Sequence, residues 1–338
     1  YNSCNFIYFK PDSIYHKIKR YIFKNGKRDY YYDYYTDYYG DWAINQVKNL
    51  NLDFVIIENR QGFTINAAKT LAIPVILHLH TDTLDKDSYK ASEIVDSCDR
   101  IITVSGYLKK QVDGIKKNAK IEVIYNGIEV NRFFKPSQIY SRKDFGIDEN
   151  DFVVIYTGRL APVKGIKELI EAFTLLKDYP SIKLLIVGSA NFGDEKNDNS
   201  FTKEIKHNSN EIASKIVFTG YIPYENIPSI LNIADIGVIP SIWEEALSLT
   251  SLEGMASGLP LIVTRSGGIP EAVDEKCAII IDKDNLEDLP KLIADSIIYL
   301  FKHPEKRIEM SKHALERSKL FSKVKYIARI NNCIDSYR

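Results

Sequence analysis

Residues 236–263 run Ile236-Gly237-Val238-Ile239-Pro240-Ser241-Ile242-Trp243-Glu244-Glu245-Ala246-Leu247-Ser248-Leu249-Thr250-Ser251-Leu252-Glu253-Gly254-Met255-Ala256-Ser257-Gly258-Leu259-Pro260-Leu261-Ile262-Val263. Two short β-branched apolar runs, 236–239 and 261–263, bracket a polar turn and a helical pattern, a strand–loop–helix–strand unit. Inside it stand Glu245 and Glu253. On one continuous α-helix their spacing turns through about 800°, roughly 80° away from a common face. The expectation is therefore Glu245 in a loop and Glu253 on a helix that Ser248 N-caps and Gly258 ends. The helix start between them offers unpaired backbone N–H groups and a positive dipole end to an anion. A ligand with an anionic middle and hydroxyls at both ends suits that arrangement, and a sugar nucleotide has this shape.

The same alternation extends outward in both directions. The runs 53–58, 74–80, 100–104, 121–124, 152–156, 183–187 and 216–218 are short, apolar and rich in β-branched residues. They are continuous rather than alternating, which marks strands covered on both faces and hence parallel sheets between helices. Ile166, Leu169, Ile170, Phe173 and Leu176 fall on one helical stripe after Gly165. The fold class expected is α/β, with two doubly wound, Rossmann-like domains. The boundary is expected in 134–150, giving an N-terminal domain over 1–140 and a C-terminal one over 145–320. The polar segment Asn191 to Asn210 is expected to be an exposed loop.

Bulk properties exclude several function classes. At 338 residues the chain exceeds one ordinary core and fits two domains. With 45 basic and 45 acidic residues the net charge gives no reason to expect a nucleic-acid partner. Cys4, Cys98, Cys277 and Cys333 are scattered without metal-ligand spacing, which fits a reducing, cytoplasmic setting. No apolar run reaches about 18 residues, so no span of a bilayer is expected. The chain opens at Tyr1 and its first methionine is Met255, so it is expected to be a fragment of a longer product. Residues 10–28 are basic and aromatic, and a tyrosine-rich run, 30–39, follows. A solvated helix is the preferred reading there; peripheral contact with an anionic membrane surface is the sharper alternative.

The strand at 152–156 leads into Thr157-Gly158-Arg159-Leu160-Ala161-Pro162-Val163-Lys164-Gly165. Ligands of open α/β sheets sit beyond the carboxyl ends of strands, and an Arg fork with a Lys point charge suits a diphosphate. Taken alone, these are two routine cations on a loop. Taken with Glu245-x7-Glu253, Gly258-x-Pro260 and Gly267-Gly268-x-Pro270-Glu271, they resemble the retaining glycosyltransferase family 4. His80 at the end of a strand, Ile102-Thr103-Val104-Ser105, Tyr125-Asn126-Gly127-Ile128 and Phe321-Ser322-Lys323 add weaker family-like marks. The likeness covers roughly residues 50–338.

That resemblance implies a GT-B architecture, two Rossmann-like domains facing across a cleft, with a last helix, 321–338, returning to the first domain. It implies transfer of a sugar from a nucleotide-diphosphate donor to a saccharide or lipid-linked acceptor with retention. Gly158, Arg159 and Lys164 would hold the diphosphate. The backbone of Leu247, Ser248, Leu249 and Thr250 would cradle it. Glu245 would take the sugar's hydroxyls and Glu253 the ribose. Tyr221, Ile222 and Ser241 would flank the base, and His80 would approach the anomeric centre. The Gly267-Gly268 turn would lie near the donor sugar. His78 is expected on the opposite face of the strand from His80, with one of the two a satisfied core residue. No metal or other cofactor is expected.

Three departures qualify the likeness. The family's Glu-x-Phe-Gly-Leu is here Glu245-Ala246-Leu247-Ser248-Leu249, its Gly-x-Gly is Gly188-Ser189-Ala190, and the glycine loop after its first strand is not visible. They keep two alternatives open: a non-catalytic GT-B partner that binds a nucleotide sugar, and a nucleotide-sugar epimerase or hydrolase on the same fold. Arg159, Lys164, Glu245 and Glu253 together favour the transferase.

Overall fold

A computed structural model describes residues 30–117, 120–134, 136–137, 139–190 and 199–337. By contacts the chain forms two compact units. The first takes in the described residues up to Thr103, then Lys109–Glu122 and the end from Ile334. The second takes in Val104–Leu108 and Val123–Cys333. Segment 134–150 lies inside the second unit of this division, as does nearly all of the helix Lys323–Ile334. The basic segment 10–28 lies outside the described residues.

Among the described residues the first sheet has four strands in the order β1 (Val55–Glu58), β2 (Val75–Leu79), β3 (Arg100–Thr103), β4 (Ile121–Val123). β1 pairs with β2, and β2 with β3, in parallel. All five residues of β2 are buried, which is why its run is apolar without alternation. The tyrosine-rich run opens a helix, Tyr30–Val47.

The second sheet contains β5 (Phe152–Thr157), β6 (Ile182–Val187), β7 (Ile216–Gly220), β8 (Ile236–Ile239), β9 (Leu261–Thr264) and β10 (Ala278–Ile281). All its pairs are parallel and the order is β10-β9-β8-β5-β6-β7. Read from β7, this is the doubly wound order 3-2-1-4-5-6, which reverses direction between β5 and β8. Loops leaving the carboxyl ends of those two strands diverge and open a crevice there. The helix Ile166–Thr174 faces the sheet with Ile166, Leu169, Ile170 and Phe173, each at most 3 % exposed. Side chains of this size contribute about 1.5–3 kcal/mol each when fully buried.

Two elements differ from expectation. The stretch expected as a loop holds an α-helix, Ser200–Asn208, which Asn199 caps by accepting from the Thr202 N–H at 2.8 Å. Its polar composition hides a short apolar stripe: Ile205 is buried in the core and Phe201 packs against it. The rest of that stretch, 191–198, lies outside the described residues. β10 was not among the expected strands, although Cys277-Ala278-Ile279-Ile280-Ile281 is an apolar run of ordinary strand length.

Candidate functional site

Three of the expected residues meet at the crevice of the second sheet. Lys164 follows β5, while Ser241 and Glu245 follow β8. Lys164 Nζ lies 2.5 Å from Glu245 Oε1, and Ser241 Oγ donates to the same oxygen at 2.7 Å. Ser241 is buried, and the Glu245 side chain is 17 % exposed against 31 % for Lys164. Arg159, on the same loop as Lys164, is exposed. Its carbonyl accepts from the buried Tyr156 hydroxyl at 2.9 Å. Burial raises the Tyr156 phenol, the Glu245 charge adds to the rise and Arg159 opposes it, so both charges act on one phenol.

The loops hold this geometry by close backbone packing. Gly165 sits at φ 69°, and a Cβ there would come 1.8 Å from the Pro240 carbonyl oxygen, so only glycine lets the β5 and β8 loops touch. Gly267, at φ 50°, lies as close to the Glu245 backbone, where an added Cβ would be 2.1 Å from its oxygen. Gly268 N–H donates to the Glu245 carbonyl at 2.7 Å. The Gly-Gly turn thus supports the Glu245 loop from behind. Glu244 belongs to that rear side: it pairs with Lys283 at 2.8 Å and accepts from the Gly267 N–H. The neighbouring carboxylates are therefore distinct, with Glu245 on the side of Lys164.

Glu253 lies on the helix Leu249–Ala256, as the spacing argument required. Ser248 N-caps this helix by accepting from the Ser251 N–H at 3.2 Å, and Gly258 turns the chain at φ 74° just beyond its end. Leu249 and Thr250, its first two residues, have N–H groups with no acceptor inside the helix. Glu253 itself is only 7 % exposed. Burial pushes its carboxyl up to about 7, against opposing contributions from the Tyr224 hydroxyl and the Arg132 charge. Tyr224 is pushed up to about 12, first by burial and then by Glu253. Arg132 lies over the Tyr224 ring, 5.1 Å from its centroid, and donates to the Tyr224 carbonyl at 3.3 Å.

Tyr221 and Ile222 follow β7, half-buried, in the loop that leads to Tyr224. Sequence reasoning passed over Tyr224 and Arg132, because neither stands in a recognisable motif. Glu271 also has a use the motif did not reveal. Its carboxylate accepts from the N–H groups of Gly106 and Tyr107, both at 2.7 Å, and from the Tyr125 hydroxyl at 3.0 Å. It thereby caps the helix Gly106–Asp113. The Tyr125-to-Ile128 mark pairs with the Phe321-to-Lys323 mark: Ile128 N–H donates to Phe321 and Lys323 N–H donates back to Ile128, at 2.9 and 2.8 Å.

His80 lies in the first unit, just beyond β2, with Nε2 2.9 Å from Glu58 Oε2. The expectation for His78 is corrected. Residues i and i+2 of a strand share a face, and the two rings sit 4.0 Å apart, centroid to centroid. Both approach Glu58, His78 through Nδ1 at 3.2 Å.

A family described as "Glycosyl transferases group 1" matches residues 137–317, and "Glycosyltransferase Family 4" matches residues 12–132. The chain belongs to the glycosyl transferases group 1 family. The "Putative glycosyltransferase YtcC" of Bacillus subtilis is 30 % identical over 78 % of the chain and 67 % of the relative. The lipopolysaccharide 1,2-N-acetylglucosaminetransferase of Salmonella typhimurium is 27 % identical over 66 % of the chain and 61 % of its own length. Among solved structures, Anabaena HepE in complex with UDP-glucose superimposes with a TM-score of 0.74 at 21 % identity, covering 88 % of this chain and 82 % of that one. The two parallel-sheet α/β units are those of GT-B glycosyltransferases.

Proposed function

We propose that this glycosyltransferase takes its sugar from a nucleoside-diphosphate donor bound in the second unit and transfers it, with retention, to a saccharide or lipid-linked acceptor. The observation that carries this reading is the convergence of Lys164, Ser241 and Glu245 at the sheet's point of reversal, in a family whose relatives include named sugar transferases. HepE, of the same fold, is described in complex with UDP and with UDP-glucose. A uridine diphosphate donor is therefore the first to test.

The chemistry follows from charge. Breaking a glycosyl–phosphate bond builds positive charge on the anomeric carbon and negative charge on the departing diphosphate. Arg159 and Lys164 would meet that growing anionic charge more strongly than the ground state, which is what lowers the barrier. The Leu249 and Thr250 amides would add donors at the same phosphates. Glu245, released from Lys164 as phosphate takes the ammonium, would turn to the sugar's hydroxyls. Glu253 would accept from the ribose diol, Tyr221, Ile222 and Ser241 would border the base, and His80 would serve at the anomeric carbon.

A thermal-shift screen of UDP-, GDP-, ADP- and dTDP-sugars, followed by turnover of the best donor with candidate acceptors, tests the reading. Nucleotide release should require an acceptor, and Arg159→Ala and Lys164→Ala should each depress kcat by at least tenfold. Binding without turnover would favour a non-catalytic role. Release without an acceptor would favour a hydrolase. Wild-type kinetics in both variants would remove these residues from the site.

No helix among the described residues is long and apolar enough to cross a membrane. From the scattered cysteines, which fit a reducing setting, we propose a cytoplasmic location, with peripheral membrane contact as a further expectation that vesicle sedimentation would test.

A further inference from the structure

Three side chains of metal-ligating type, Glu58, His78 and His80, meet at the carboxyl end of the first sheet. Glu58 and His78 are register partners on the parallel strands β1 and β2, so their side chains leave the sheet on the same face. His80, two residues on, continues the face of His78. His80 Nε2 and His78 Nδ1 lie 2.9 and 3.2 Å from one oxygen, Glu58 Oε2. One ligand atom from each of the three residues lies within 4.8 Å of the other two. Bonds of about 2.0–2.2 Å to a common ion place neighbouring ligand atoms roughly 3–3.5 Å apart. The two distances to Glu58 are already in or next to that range.

The backbone around the cluster is braced. Asn59 turns at φ 56°, in the left-handed region that asparagine tolerates better than most residues. Its N–H donates to the His78 carbonyl at 2.9 Å, and its Oδ1 accepts from the His80 N–H at 2.6 Å. The residue after one ligand therefore clamps the chain at the other two. Exposure is graded across the cluster. The His78 side chain is 2 % exposed, His80 30 % and Glu58 57 %, which leaves a solvent-facing side for a further ligand.

Two imidazoles and one carboxylate are the donor set of an open zinc-type site, whereas magnesium and calcium take oxygen shells. We propose that Glu58, His78 and His80 bind one zinc-class dication through a carboxylate oxygen, Nδ1 and Nε2, with one position left for water. Each imidazole would bind as the neutral ring, moving its proton to the nitrogen turned away from Glu58. The competing state is a hydrogen-bonded triad, in which Glu58 accepts from both rings and holds no ion. His80 is shared with the donor reading, which brings it to the anomeric carbon; metal titration reads binding alone, so its outcome is distinguishable from that of donor turnover.

The test is titration of the chelator-treated full chain with Zn²⁺ by calorimetry, and with Co²⁺ by visible absorption. One saturating equivalent is expected, with cobalt ligand-field bands. Glu58→Gln and His80→Ala, both at accessible positions, should each weaken binding at least tenfold, while His207→Ala and His303→Ala leave it unchanged. Circular dichroism of the two site variants should match that of the wild type. No saturable binding, or binding indifferent to Glu58→Gln and His80→Ala, would overturn the proposal in favour of the triad.

Discussion

At Glu253 two demands oppose each other. The helix places the side chain inside, at 7 % exposure, while a carboxylate at neutral pH needs water or donors around it. Burial wins in the unliganded chain and lifts the group from an ordinary 4.5 to about 7, although Tyr224 and Arg132 pull the other way. Because the folded value is the higher one, the native state holds more protons than the unfolded chain between those two pH values. The stabilising contribution is full below about 4.5 and is lost as pH rises through 7, an effect of about 3 kcal/mol. Glu253→Gln removes this titration. Its unliganded form should exceed the wild type in stability at pH 8 by up to about 3 kcal/mol, measured by urea unfolding, with the advantage shrinking at pH 5. The same variant should bind the donor less tightly by calorimetry, since a ribose diol supplies the two donors that the carboxylate lacks. A gain in stability joined to a loss of binding is the mark of a residue kept for its ligand.

Among the elements, the helix Leu249–Ala256 carries the clearest consequence. Ser248 caps it, where the family's usual residue is glycine. Ser248→Ala should cost about 1 kcal/mol by losing the cap, and Ser248→Gly only a few tenths, because glycine is itself a fair N-cap. Chemical denaturation of both variants checks this, and Ser248→Gly should keep its donor affinity. Gly165→Ala belongs to the same scale. It would force a Cβ to 1.8 Å from the Pro240 oxygen at a positive φ, so a loss above about 2 kcal/mol is expected, with weaker donor binding as the loop retreats. Elements of this kind were legible where one local signal dominates. Continuous apolar runs announced nine of the ten strands among the described residues, and Ser248 and Gly258 marked both ends of the Glu253 helix. The helix Ser200–Asn208 was not legible, because its burial rests on Ile205 and Phe201 within a polar composition. His78 was misplaced for a different reason. The period of a strand puts it beside His80, and the meeting of both with Glu58 is set by the pairing of β1 with β2, which no single run of sequence displays. Tyr224 and Arg132 reach Glu253 from separate elements, and only the fold brings them there.

On the scale of the whole chain, two parallel sheets carry two candidate sites of opposite chemistry. Beyond β5 and β8 stand cations and amides suited to a diphosphate; beyond β1 and β2 stand imidazoles and a carboxylate suited to a metal ion. Each set hangs from the carboxyl ends of its own strands, where side chains are free of the sheet's hydrogen bonding and can be aimed by loops. Ligands of the two kinds should therefore act on different parts of the chain. A ligand at a hundred times its Kd stabilises the native state by about 2.7 kcal/mol, and hydrogen exchange shows where that stabilisation is felt. UDP should slow exchange in 157–165 and 240–256, and Zn²⁺ in 55–60 and 75–82. Arg159→Ala should weaken the first effect and spare the second, and Glu58→Gln should do the reverse. If UDP instead protected only 55–82, the phosphate site would belong to the first sheet, and the roles given to Arg159, Lys164 and the Leu249 helix start would fall together.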